Sequence, residues 1–295
     1  MLVMNVLICW PTAESTILNN NTGHKTMQNV FITGASTGIG AALALQYARQ
    51  GACVGLVARR RELLDALRQQ LPNSERHFIF VVDVTDRAAL SNAASEFNRL
   101  TGGAHIVIAN AGISRGTLTE HMEDFPVFEQ VIATNLLATV ATFGPFIEVM
   151  KAQSQNPSQH PPGHPCRLVG IASVAGIRGL PGAEAYSASK AAMISYCESL
   201  RLELRDSPIK VVTICPGYID TPLTRVNRYA MPFLMSADRF AHLAVAAIAR
   251  GDSFRIIPWQ MAWVANLMRV LPNWLYDAVF ARAPRKGRGN DSVPK

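Results

Sequence analysis

The sequence has no closely paired cysteines. Its five cysteines are scattered along 295 residues and form no CxxC pair; they are Cys9, Cys53, Cys166, Cys197 and Cys215. Disulfide-stapled domains and structural zinc sites need cysteines in pairs. The spacing argues against both, so we expect no metal site and a reducing compartment, the cytoplasm.

The chain also lacks an N-terminal run long enough to cross a membrane. Its first ten residues, MLVMNVLICW, are apolar, but they are too few to span a bilayer and no basic residue precedes them. We therefore expect neither a secretion signal nor a span there. Residues 1–26 are interpreted as a flexible N-terminal extension, because Met27 directly precedes the first strand candidate.

Acidic residues are in the minority. The chain holds 21 Asp and Glu against 28 Lys and Arg, a formal charge of +7. Residues 282–295 alone hold five basic residues and one acidic residue, so the rest of the chain carries +3. We interpret 282–295 as a solvated or disordered basic tail, with contact to an anionic membrane as the alternative. We expect no nucleic-acid partner, because no basic run is interleaved with aromatic residues.

Short apolar runs alternate with longer helical patterns, which is typical of repeated βαβ units around a buried parallel sheet. Residues 153–165, rich in Pro, Gln and His, predict a long surface loop. We predict an α/β fold, a Rossmann-type doubly wound parallel seven-stranded sheet in a single domain over residues 27–258. The predicted strands are Val30–Thr33, Cys53–Val57, Phe78–Val82, Ile106–Ala109, Leu168–Ala172, Val211–Cys215 and Arg255–Ile257, and the predicted helices are Ile39–Gln50, Arg61–Gln70, Arg87–Leu100, Phe125–Lys151, Tyr186–Arg205 and Ala237–Arg250.

A glycine-rich turn joins the first strand to the first helix. Pyrophosphate can approach backbone amides closely where β-carbons are missing, and the positive end of a helix dipole favours it. Gly34 and Gly38 would clear the turn, and Gly40 would let helix and strand pack closely. The spacing is not that of the GxGxxG fingerprint, so we predict the phosphate-binding mechanism and not that motif. The turn reads Thr33, Gly34, Ala35, Ser36, Thr37, Gly38, Ile39, Gly40.

The second strand ends without the acidic residue that holds the ribose hydroxyls of NAD. Ala58 stands there, followed by Arg59, Arg60 and Arg61. A guanidinium binds the 2′-phosphate of NADP, whereas an acid would repel it. We therefore predict that NADP(H) is preferred over NAD(H), with Arg59 as the contact. For Arg60 and Arg61 a solvated helix start is the alternative.

Further motifs follow the turn in a fixed order, and over residues 27–258 the chain resembles the classical short-chain dehydrogenase/reductase family. Each motif alone is weak, since a YxxxK pair arises readily by chance, but the ordered set is specific. In this numbering the set is TGxxxGxG at Thr33–Gly40, Asp83-Val84, Asn110-Ala111-Gly112, Asn135, Ser173, Tyr186-Ser187-Ala188-Ser189-Lys190, and Pro216-Gly217 with Thr221. The resemblance also implies a homo-oligomer.

The resemblance implies reversible hydride transfer between NADP(H) and a carbonyl or secondary alcohol, with Tyr186 as proton donor and acceptor. A free phenol titrates near pH 10. Lys190, four residues later on the same helical face, would supply a positive charge that favours the phenolate. Ser173 would hydrogen-bond the substrate oxygen. By resemblance, Lys190 would also contact the nicotinamide ribose, and Asn135 would carry a proton relay through water.

The remaining expected cofactor contacts also follow strand ends, which face the ligand crevice in such sheets. Asp83 and Val84 would reach the adenine. The other members are Asn110, Ala111 and Gly112 on the nicotinamide side, and Pro216, Gly217, Ile219 and Thr221 over the carboxamide and phosphates.

The sequence leaves the substrate and the C-terminal segment open. The segment Tyr218–Met235 contains apolar residues that would form a lid over a lipophilic substrate or pack on the core, namely Tyr218, Leu223, Met231, Phe233, Leu234 and Met235. Residues 259–281 form an apolar helical segment that would contact a subunit, the substrate pocket or, with the basic residues up to 288, the inner face of a membrane. The alternative function is an NADP(H)-sensing or scaffold protein that binds the cofactor without turnover.

Overall fold

A computed structural model describes residues 28–153, 165–227, 229–283 and 285–288 of the chain. Two short parallel strands, β7 (Ile219–Asp220) and β8 (Met235–Ser236), pair with each other apart from the main sheet. The main sheet contains β1 (Asn29–Thr33), β2 (Cys53–Ala58), β3 (Phe78–Val81), β4 (Ile106–Ala109), β5 (Cys166–Ile171), β6 (Ile209–Pro216) and β9 (Phe254–Ile257).

The main sheet is parallel and doubly wound. Its strand order is β3-β2-β1-β4-β5-β6-β9, so the chain moves outward from β1 first on one side and then on the other. In β1, Val30 pairs with Val54 of β2 and with Ile106 of β4. The order reverses between β1 and β4, where the carboxyl ends of the strands open a crevice. The predicted Rossmann-type, single-domain fold is confirmed, with strand ends within two residues of the predicted ones.

The helices follow the predicted pattern with one interruption. The expected single helix over 125–151 is divided by a π-helical stretch at Ala133–Leu137 that contains Asn135. Such stretches occur mostly inside α-helices and often at functional sites. The helices are α1 (Gly38–Arg49), α2 (Arg61–Gln70), α3 (Arg87–Thr101), α4 (Phe125–Ile132), α5 (Ala138–Gln153), α6 (Glu184–Glu203), α7 (Pro222–Arg225), α8 (Ala237–Arg250), α9 (Trp259–Val270) and α10 (Asn273–Phe280).

Both faces of the sheet are buried, as the continuous apolar strands require. Val30 and Ile32 of β1 point into the core layer that α1 and α8 cover. Phe31 points to the opposite layer, where its ring lies 5.4 Å from that of Phe97 and 4.9 Å from that of Phe146. Burial of each such ring stabilises the fold by about 2–3 kcal/mol. The two layers fix the strand ends that carry the site.

The basic tail differs from the prediction. Arg288 donates to both carboxylate oxygens of Asp124 (3.0 and 3.1 Å) and to Glu123 (2.9 Å). Lys286 donates to Ser114 Oγ at 2.7 Å. A disordered tail is therefore wrong for residues 285–288, because the buried carboxylate of Asp124 needs a cation and the tail supplies it. Residues 1–26 and most of the predicted 153–165 loop lie outside the described residues.

Candidate active site

A cleft of about 360 Å³ lies at the carboxyl ends of the strands. Of the predicted catalytic residues, Ser173, Tyr186 and Lys190 line this cleft, and Asn135 is not among its lining residues. The predicted cofactor contacts on its wall are Gly34, Ser36, Thr37, Gly38, Ile39, Arg59, Asp83, Val84, Asn110, Ala111, Gly112, Tyr186, Lys190, Pro216, Gly217, Ile219 and Thr221. Gly40 is the one predicted contact that lies behind it.

The glycine turn leaves no room for side chains. Gly38 has φ +59°, a left-handed conformation that favours glycine, and it begins α1. A β-carbon on Gly40 would collide with the carbonyl oxygen of Gly34 and lie 2.6 Å from Asn110 Nδ2. Gly40 therefore allows the close packing that the sequence predicts, while the amides at the start of α1 face the cleft.

Asn110 and Thr33 hold this turn in place. The Asn110 side-chain amide donates to the carbonyl oxygens of Thr33 (3.0 Å) and Gly34 (3.1 Å). In return, Thr33 Oγ1 accepts from the backbone amides of Asn110 (3.1 Å) and Ala111 (3.2 Å). Asn110 thus lines the cleft, but its amide is used to brace the turn.

Two arginines lie where a 2′-phosphate is expected. Arg59 Nη1 is 3.5 Å from Asp83 Oδ2, and Arg60 Nη2 donates to Ser36 Oγ at 3.5 Å. Partial burial raises the pKa of Asp83, but hydrogen bonds from Thr85 and the charge of Arg59 outweigh it and lower the pKa below its ordinary value. The structure therefore brings Arg60 to the turn as well, whereas Arg61 is not among the lining residues.

Ser173 and Tyr186 meet on the opposite wall. Ser173 follows β5 and its hydroxyl accepts from the backbone amide of Ala175 at 3.1 Å. Tyr186 lies in the first turn of α6, with its phenol beside the Ser173 side chain on the same side of the cleft. Burial raises the pKa of the Tyr186 phenol, and the Ser173 side chain beside it only partly opposes this. The phenol is therefore protonated at neutral pH.

Lys190 lies one helical turn beyond Tyr186. Its ammonium is buried, 5.9 Å from the centroid of the Tyr186 ring, and donates to the carbonyl of Ile171 at 2.8 Å. Burial lowers the pKa of Lys190 to about 8. Desolvation therefore raises the pKa of the tyrosine and lowers that of the lysine, and the effect of the Lys190 charge on the phenolate stays a prediction.

Asn135 braces the wall from behind. Its Oδ1 accepts from the amide of Ile113 at 2.8 Å, and its Nδ2 donates to the carbonyl of Ile113 (3.0 Å) and to Ser189 Oγ (2.9 Å). The side chain is fully buried. It thereby ties the segment after β4, which lines the cleft, to α6, which carries Tyr186.

Several lining residues were not predicted. Arg115 follows the Asn-Ala-Gly motif by three residues, and Gln130 and Thr134 lie five and one residues before Asn135. The helical spacing of Gln130 and Thr134, four residues apart, places both on one face and would have identified them. No comparable signal identifies Thr85, which follows the predicted Asp83-Val84 motif and binds its carboxylate.

Comparisons with known proteins agree with this geometry. A family model described as short chain dehydrogenase matches residues 28–231. An uncharacterized oxidoreductase of Myxococcus xanthus is 36% identical over 256 residues, which cover 86% of this chain and 97% of that protein.

Solved structures share the fold. A 3-ketoacyl-(acyl-carrier-protein) reductase of Brucella melitensis, complexed with NADH, has 22% identity and a TM-score of 0.68 over 78% of this chain and 95% of its own. An actinorhodin polyketide ketoreductase variant with NADPH has 21% identity and a TM-score of 0.68, with the same coverage. The fold, the ordered motifs and the matched family together establish that the chain belongs to the short-chain dehydrogenase family of oxidoreductases.

Proposed function

We propose that the protein catalyses reversible hydride transfer between NADP(H) and the carbonyl or secondary alcohol of a lipophilic substrate. One observation carries the proposal: the neighbouring side chains of Ser173 and Tyr186 line the same cleft as the glycine turn and two arginines. A proton donor and a phosphate-binding turn are the two parts that such a reaction needs.

The residues present fit a dinucleotide with an extra phosphate. The turn offers a space that β-carbons would fill, and Ser36, Arg59 and Arg60 surround the end of β2, where no acid stands. Arg59 pairs with Asp83, but both side chains are largely exposed, so exchanging this pair for a phosphate costs little. This donor set supports NADP(H) over NAD(H).

Each catalytic side chain has a distinct task in the proposed reaction. NADP(H), when bound, supplies or accepts the hydride. Ser173 hydrogen-bonds the substrate oxygen and holds it beside Tyr186, and the protonated phenol donates to that oxygen as negative charge develops there. Lys190 places a cation behind the phenol, with its ammonium fixed by Ile171.

Asn135 is proposed to act through its neighbours. It fixes the backbone of Ile113, which lines the cleft. The water relay that the family resemblance implies for it stays a prediction.

Exposed apolar side chains in the segment 218–235 are the reason for proposing a lipophilic substrate. Leu223 lines the cleft and is 40% exposed, and Phe233 and Leu234 are each nearly half exposed. Apolar side chains in these positions would cover the mouth of the cleft over an apolar substrate.

We also propose a cytoplasmic homo-oligomer. Cys53, Cys197 and Cys215 are buried free thiols, which suits a reducing compartment. Size measurement by light scattering, with and without reductant, tests both the assembly and the state of the thiols.

The function is tested by following NADPH consumption by the full-length protein with aldehydes, ketones, acyl thioesters and sterols. We expect turnover with at least one apolar carbonyl class, and faster turnover with NADPH than with NADH. Tight NADPH binding without turnover of any class would instead favour the sensor or scaffold alternative.

A further inference from the structure

Helix α9 is apolar on two opposite sides. Met261, Ala265 and Met268 are buried against the domain. Trp259, Leu267 and Val270 are 60%, 59% and 76% exposed. At about 100° per residue the exposed three fall within one arc of about 80°, opposite the buried three. The helix therefore presents an apolar stripe to the outside.

Helix α10 follows α9 and adds two exposed apolar side chains, with Trp274 72% exposed and Val279 58% exposed. We call the exposed set of Trp259, Leu267, Val270, Trp274 and Val279 the C-terminal apolar surface.

The C-terminal apolar surface is rigidly mounted. Arg178 donates to the carbonyls of Met268 and Leu271, each at 2.7 Å, and its guanidinium lies 4.2 Å from the ring centroid of Tyr276. The Tyr276 hydroxyl in turn donates to the carbonyl of Gly179 at 2.6 Å. These contacts connect α9 and α10 to the loop between Ser173 and Tyr186.

Helix α9 also packs against the side of the cleft where the cofactor is expected. A β-carbon on Gly217 would lie 2.6 Å from Met261 Cγ, so the inner side of α9 packs directly on the turn after β6. The exposed side of the same helix is therefore only one helix diameter from the cleft.

Charge and residue type indicate what covers this surface. Residues 259–288 contain a single acidic residue, Asp277, and three basic residues besides Lys286 and Arg288, which bind Ser114, Glu123 and Asp124. Arg269, Arg282 and Arg285 are exposed beside or just after the two helices. Tryptophan and arginine around an apolar stripe are typical of a segment that lies at the interface of an anionic membrane.

A second copy of the chain fits this charge pattern less well. A two-fold contact brings the same patch of each copy together, so two patches of the same positive charge would be brought close to each other. Anionic headgroups would pair with them instead. We propose that the C-terminal apolar surface docks the protein on an anionic phospholipid bilayer, with Trp259 and Trp274 in the interface and the flanking arginines on the headgroups.

Co-sedimentation of the full-length protein with vesicles tests this. We expect binding to phosphatidylcholine vesicles that contain added phosphatidylserine, a blue shift of tryptophan fluorescence, and weaker binding to phosphatidylcholine alone or at high salt. The double variant Trp259→Ser/Trp274→Ser should bind at least about tenfold less tightly. Leu202→Ser, which removes an equally exposed apolar side chain from α6, should bind as the wild type does. Circular dichroism and the unfolding midpoint confirm that each variant is folded.

Three results would overturn the proposal. One is no binding to either kind of vesicle. The second is binding that the double variant retains, since another segment would then be responsible. The third is a wild type that is oligomeric and does not bind vesicles, with a monomeric double variant, which would identify the surface as a contact between copies. None of these readouts depends on turnover, so the proposed reaction is tested separately.

Discussion

Single side chains hold the cleft in shape, and Asn135 is the most constrained of them. Its three hydrogen bonds join Ile113 and Ser189 in a fully buried position. Removing it leaves the amide and the carbonyl of Ile113 without partners, and an unsatisfied buried group costs about 1–3 kcal/mol. We therefore expect Asn135→Ala to lower the free energy of unfolding by about 2–4 kcal/mol, as measured by urea denaturation.

The neighbouring variant Thr134→Ala is the control, since Thr134 lines the cleft from the same π-helical stretch. It should change the free energy of unfolding by less than about 1 kcal/mol. Equal free energies of unfolding for the two variants would show that the Asn135 hydrogen bonds do not stabilise this side of the cleft.

Which residues line the cleft was predictable, because their types are tied to their chemistry. The directions of their pKa shifts were not predictable. The sequence places Lys190 one turn from Tyr186, which predicts an attraction between the ammonium and the phenolate. The structure shows both groups desolvated, with the ammonium on the Ile171 carbonyl. Burial and the direction of a side chain depend on packing that a spacing pattern does not contain.

Among the structural elements, the segment 285–288 departs most from its sequence-based interpretation. It passes between two glycines: a β-carbon on Gly116 would lie 2.5 Å from the carbonyl oxygen of Gly287, and one on Gly182 would lie 2.9 Å from Arg285 Cβ. It could not be predicted because its partners, Ser114 and Asp124, are more than 160 residues away. The π-helical stretch is a similar case, since the contact between Asn135 and Ile113 causes no change in apolar periodicity.

The same segment makes stability depend on pH in a defined direction. Burial lowers the pKa of Lys286 from 10.5 to about 8. Below about pH 8 the lysine is charged in both states and the folded state carries the cost of desolvation. Between about pH 8 and 10.5 the unfolded state binds more protons, so the free energy of unfolding rises with pH.

Lys286→Met should therefore be more stable than the wild type at pH 7. The pKa shift sets an upper bound of about 3 kcal/mol, and the lost hydrogen bond to Ser114 reduces the gain to about 1–2 kcal/mol. The gain should disappear as the pH rises to about 10. Lys210→Met, which removes an exposed lysine from β6, is the matched control. A Lys286→Met variant whose stability relative to the wild type does not change with pH would contradict this account.

For the whole molecule, the alternation of apolar runs predicted the sheet, its strand count and the crevice at its carboxyl edge. Parallel strands need crossover helices, so this order of elements permits few topologies. The substrate does not follow from the same argument, because the apolar pattern of the core does not determine which side chains of the segment after β6 face the cleft.

Cofactor binding should stabilise the folded domain, and the cofactor that binds more tightly should raise the unfolding midpoint more. A ligand at 100 times its dissociation constant stabilises the folded state by about 2.7 kcal/mol. At equal concentration NADPH should therefore raise the unfolding midpoint more than NADH does. The double variant Arg59→Ala/Arg60→Ala should lose this difference, whereas Arg61→Ala, at the start of α2, should keep it. An unchanged preference in the double variant would rule out these arginines as the phosphate contacts.

Proton donation by Tyr186 is tested by measuring kcat/KM of Tyr186→Phe for NADPH-dependent carbonyl reduction. Tyr196→Phe, in the same helix and not among the lining residues of the cleft, controls for loss of a half-buried tyrosine hydroxyl. We expect kcat/KM to fall about 10²–10⁴-fold in Tyr186→Phe, with NADPH affinity retained, and to stay near the wild-type value in Tyr196→Phe. A Tyr186→Phe enzyme that keeps wild-type kcat/KM would show that another group donates the proton.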